Sequence, residues 1–180
     1  MGLFVCAYSK MLFVHKKDAK CVDDEGDHIG INSVPTFIER LDGLQEGCYE
    51  CKGKSKSIFS VMYSYYNDWR ELLSYAALKA SAQEVWQNPE KYKGKPFFEL
   101  VNMSDSDGAI GPVTSKKLAG DFEEFSGPIK KSIRKIIKEK RFSFYGDTTV
   151  KEEIADWLYI YSQLRKGFAL ASDNGFVKFS

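Results

Sequence analysis

The chain has 180 residues, 43% hydrophobic and 28% charged, with a formal net charge of +1. Those proportions suit a folded domain and exclude a mostly disordered chain. The balanced charge gives no global pull toward nucleic acid or an anionic membrane, so a nucleic-acid partner is not favoured.

Uncharged apolar runs fall short of the about 18 residues that a bilayer-spanning helix needs. The start, Met1-Gly2-Leu3-Phe4-Val5-Cys6, lacks the positive region of a secretory signal. The expectation is one soluble, cytoplasmic domain over residues 1–180, with no membrane partner. In that compartment Cys6, Cys21, Cys48 and Cys51 are expected as reduced thiols.

In chain order, residues 3–14 read as a strand or a short hairpin broken near Ser9-Lys10. Residues 16–33, with Asp23-Asp24-Glu25-Gly26-Asp27, read as a loop. Pro35 opens a short helix to Leu41, and Asp42-Gly43 ends it. Residues 47–62 read as a hairpin of Gly47–Lys52 and Ile58–Met62 around a turn at 53–56. A helix follows over 67–81, capped by Ser64 or Asn67, with Trp69, Leu72, Leu73, Ala76, Ala77 and Ala80 as its apolar stripe.

Pro89, Gly94 and Pro96 make residues 87–96 a connector, and 104–112 a loop follows the apolar piece Phe97–Val101. Three helices come next: 113–125 with Leu118, Phe122 and Phe125; one from Ile129 carrying Ile133, Ile136 and Ile137; and the longest, from Val150 to Phe168. Gly127-Pro128 and Gly146-Asp147 separate them, and Phe176–Phe179 reads as a final strand. Strands cluster early and helices late. The predicted fold class is α+β: a small antiparallel sheet from the N-terminal half packed with four or more helices.

Four constellations carry possible chemistry. Cys48-Tyr49-Glu50-Cys51 has the spacing of half a zinc site, with Cys21 and His28 as the nearest further ligands. No second Cys-x-x-Cys exists, and on a strand residues three apart face opposite ways, so packing is the favoured reading. Asp105-Ser106-Asp107-Gly108 resembles the middle of a calcium loop, but its first ligand position is Met103 and its glutamate position is Thr114. These two carboxylates also support an alternative reading as a metal-dependent hydrolase or transferase.

Tyr65, Tyr66, Asn67, Trp69 and Arg70 open a helix, where a guanidinium can pair with an anion and rings can stack on a base. From Gly127 to Arg141 seven Lys or Arg stand against one acid, Glu139, a pattern that suits an anionic partner or a solvated face.

Three stretches stand out together: Met1-Gly2-Leu3 with Tyr8; Tyr63-Ser64-x-Tyr66-Asn67-x-Trp69-Arg70; and Asp105-x-Asp107-Gly108-x-Ile110-Gly111 followed by Lys117-Leu118-Ala119-x-Asp121-Phe122. The whole resembles a group of small uncharacterised proteins of bacteria and their phages. The resemblance implies a phage setting, where small proteins block or sequester host components, and it carries over no functional residue. The leading expectation is a non-catalytic, anti-defence binding protein that sequesters a small anionic, nucleotide-like ligand or meets a host protein. Arg70 would hold the anion, Tyr65, Tyr66 or Trp69 would stack, and Asp105 and Asp107 would accept hydrogen bonds. A structural-zinc interaction module is the third reading. Abundant aromatic surface makes a homo-oligomer an open alternative.

Overall fold

The computed structural model describes residues 2–15, 28–31, 35–104, 108–139 and 148–180. It is an α+β fold of two antiparallel sheets with a helix-rich C-terminal half. The larger sheet has the order β5-β1-β7-β6: β5 is Ser55–Met62, β1 Gly2–Tyr8, β7 Phe176–Phe179 and β6 Gly108–Ile110. The smaller has the order β2-β4-β3: β2 is Met11–His15, β4 Gly47–Cys51 and β3 His28–Ile31. The helices are α1 Tyr63–Leu78, α2 Ala82–Gln87, α3 Pro89–Tyr92, α4 Phe98–Val101, α5 Pro112–Glu124, α6 Ser126–Lys138 and α7 Val150–Ala171. A 3-10 helix spans Pro35–Leu41.

The chain does break at Ser9-Lys10, and Lys10 takes φ 53° there. Neither expected hairpin closes on itself, however. β1 pairs with β5, from Gly2 opposite Met62 to Tyr8 opposite Ser55, while β2 pairs with β4, Met11 opposite Cys51. The two segments thus form one long antiparallel ribbon, kinked where it passes from one sheet to the other. Ser9 N–H donates to the Lys54 carbonyl at 2.9 Å and Lys52 N–H to the Lys10 carbonyl at 3.0 Å, which keeps the backbone paired through the corner. Gly53 lies so close that a Cβ there would stand 2.7 Å from the Ser9 carbonyl oxygen. The kink lets alternate β1 residues, Leu3, Val5 and Ala7, bury against the helices, while β2 and β4 wrap around a second small cluster of Met11, Ile31, Leu41, Tyr49, Ala109 and Phe176.

The main core runs from Leu3 to Phe179 and is rich in rings. The Trp69 and Trp157 rings stack 5.2 Å apart, and each indole N–H donates to the other tryptophan's backbone carbonyl, at 3.1 and 3.2 Å. This clasp fixes α1 against α7. Helix α1 begins at Tyr63, directly after β5, four residues earlier than expected, and neither Ser64 nor Asn67 caps it. The strand β3 and the helix α3 fall where the sequence suggested loop or connector. The acidic run 23–27 and Gly146-Asp147 lie outside the described residues.

Candidate functional site

Because β5 enters α1 without a loop, Met62 and Tyr65 sit at a sharp strand-to-helix corner beside α7. Residues three and four apart share a helix face, so Asp156, Tyr159 and Ile160 point the same way along α7. The Trp69–Trp157 clasp sets the distance between these two surfaces. Between them opens a cleft of about 320 Å³, lined by Val61, Met62, Tyr65, Asp156, Tyr159 and Ile160. Ile160 is buried at its floor, and Met62 and Tyr159 are exposed at 56% and 57%. Such a volume is at the small end of ligand pockets.

The cleft offers two phenol rings, a thioether, two branched aliphatic side chains and one carboxylate. Flat apolar faces suit a ring-shaped ligand. Asp156 is exposed, and its carboxylate oxygens can accept hydrogen bonds. Among the described residues no lysine, arginine or histidine lines the cleft.

The residues expected to act together are dispersed. Tyr65 lines the cleft. Tyr66 and Trp69 are fully buried and stack on each other at 5.9 Å, so their expected role as ligand-stacking rings is corrected: they are core. Arg70 is also turned inward, 8% exposed, with Nη1 donating to the Met103 carbonyl at 2.5 Å and Nη2 to Asn67 Oδ1 at 2.7 Å. Its guanidinium also lies over Trp86, 5.5 Å from the ring centre. Trp86 donates to the Val101 carbonyl at 2.9 Å, and Arg40 donates to the carbonyl and the side-chain oxygen of Asn102 at 3.4 and 3.2 Å. Three side chains from three elements therefore clamp three successive carbonyls, Val101 to Met103. This fixes the chain just before Asp105 and Asp107, which lie outside the described residues.

Cys48 and Cys51 do lie on a strand, β4. Cys48 is disulfide-bonded, which corrects the expectation that all four cysteines are reduced. Cys6 and Cys51 are free, and the Cys51 thiol lies 3.5 Å from the Ser9 carbonyl. His28 stands opposite Glu50 on β3, and Cys21 is outside the described residues. Among the described residues no three His, Cys, Asp or Glu side chains gather as a metal site. Nor is any described helix long and apolar enough to cross a membrane.

No family model, curated protein or solved structure matches the chain.

Sequence reasoning named only Tyr65 among the cleft residues. Val61 and Met62 read as strand, and Ile160 falls within the longest helix without being singled out. Tyr159 and Asp156 had a signal, an aromatic beside an acid on the polar side of the longest helix, but nothing in the sequence ties that side to Tyr65.

Proposed function

We propose that the protein is a non-catalytic binding module that holds a small planar ligand, such as the base of a nucleotide-like molecule, in the cleft between β5, α1 and α7. The observation that carries this reading is that Tyr65 and Tyr159 line one cleft in which, among the described residues, Asp156 is the charged lining residue. A nucleobase has two apolar faces for the rings. Its edge carries N–H groups that Asp156 can accept. A phosphate on the same ligand would point into water, since the described lining residues supply no cation. Arg70 supports the architecture in this reading and does not touch the ligand. Sequestration of such a ligand is the activity that fits an anti-defence role.

Calorimetry against a panel of nucleosides and nucleotides tests it. At least one purine or pyrimidine should bind, with nucleoside and nucleotide nearly equal. Loss of one stacking ring, Tyr65→Ala or Tyr159→Ala, should weaken that binding by about 1–3 kcal/mol, roughly 5- to 150-fold. Asp156→Asn should change which base is preferred. A panel without binders, or ring variants that bind like the parent protein, rejects the reading.

A further inference from the structure

Helix α6 has one face that the fold uses and one that it does not. Ile129, Ile133 and Ile137 are buried in the main core, and Lys131, Arg134, Lys135 and Lys138 are exposed on the outside. Lys130 is occupied, its ammonium 5.7 Å from the centre of the Tyr161 ring. Lys135 has an ion pair with Glu139 at 3.8 Å. Lys131, Arg134 and Lys138 have no ion-pair partner among the described residues.

The four exposed cations are three or four residues apart, so they are neighbours on the helix surface and repel one another. The negative end of the helix dipole compensates Lys135 and Lys138 in the last turn. It does nothing for Lys131 and Arg134. The fold thus carries a repulsion that its own packing does not require. An external anion relieves it.

We propose that this face of α6 binds the phosphate backbone of duplex nucleic acid. From Lys131 to Lys138 the helix rises about 10 Å, the run of about three phosphates along one duplex strand. Pro128 is the one exposed apolar side chain on this face, too little to anchor a protein partner. It has no aromatic side chain on which unpaired bases would stack, and single-strand binders depend on such rings. Phosphates need neither. Since the net charge of the whole chain is only +1, the attraction is local to this helix and sensitive to salt.

Fluorescence anisotropy with a short labelled DNA duplex tests the proposal. Three phosphate contacts should cost about 40-fold in affinity between about 50 mM and about 200 mM salt. The variant Lys131→Gln/Arg134→Gln/Lys138→Gln should lose roughly tenfold or more at the lower salt and show a flatter salt dependence. Glutamine keeps helix propensity, so an unchanged thermal melt separates lost binding from lost folding. Tyr159→Ala should bind the duplex like the parent protein, which keeps this result independent of the cleft. Absence of duplex binding at low salt overturns the proposal, as does a triple variant that binds normally. Tighter binding of polyglutamate or phosphatidylserine vesicles than of the duplex also overturns it, in favour of an acidic protein or a membrane.

Discussion

A guanidinium brings five N–H donors into whatever space it enters. At Arg70 that space is the junction of α1 with the 101–103 segment, and two donors are spent there on Met103 and Asn67. Truncation leaves the Met103 carbonyl without this donor and opens a gap beside Trp86. Arg70→Ala should therefore lower stability by about 2–3 kcal/mol, read as a shift of the urea midpoint. Because the cleft lies elsewhere, the same variant should leave binding of any cleft ligand unaltered. Asp121 acts in a similar way: one carboxylate oxygen accepts from Phe97 N–H at 2.8 Å and pairs with Lys117 at 2.9 Å, holding Phe97 at φ 61°. Residue type alone marks both as candidates for chemistry. Their partners, 33 and 24 positions away, make them struts.

Among the elements, α5 depends most on a distant segment. Its N-cap position is Gly111, which has no side chain to cap with, and a Cβ there would lie 2.4 Å from the Leu41 carbonyl oxygen. Asp42 supplies the missing acceptor, taking the Thr114 backbone N–H and hydroxyl at 2.7 Å each. That satisfies a free donor of the first turn, the service an N-cap side chain normally gives. Asp42→Ala should cost about 1–2 kcal/mol, a fall in melting temperature of about 2–8 °C for a chain of this size. Helix α7 needs no such help: Thr149 and Glu152 form a capping box within the helix's own sequence.

At the scale of the whole molecule, burial sets the response to pH. Asp68, one residue before the Trp69 clasp, has its carboxyl pushed above its ordinary value by partial desolvation. A raised acid favours the folded state in its neutral form. Its contribution is complete below the ordinary value of 3.8 and is lost as pH rises through the raised value. At neutral pH the charged carboxylate is thus a small cost. Asp68→Asn should raise the melting temperature at pH 7, and the gain should vanish below about pH 3.5; an equal gain at both pH values would assign the effect to packing.

The sequence by itself determined what depends on near neighbours. The apolar spacing of Leu118 and Phe122, or of Ile129, Ile133 and Ile137, predicts helices with those faces buried, and α5 and α6 bury them. Ser9-Lys10 and Asp42-Gly43 mark the breaks at 9–10 and 42–43 because backbone conformation at such points is a local property. The α+β class follows from the order of those elements. Only the tertiary structure decided which strands pair, since β1 and β2 read as a hairpin until β5 and β4 compete for their edges. It also decided which polar side chains are structural. Arg70, Tyr66 and Trp69 look like a site in sequence, and their exposure depends on α4, α7 and the 101–103 segment, none of them adjacent in the chain. The cleft belongs to the same class: Tyr65 and Tyr159 line one cleft on helices that two tryptophans 88 positions apart clasp together.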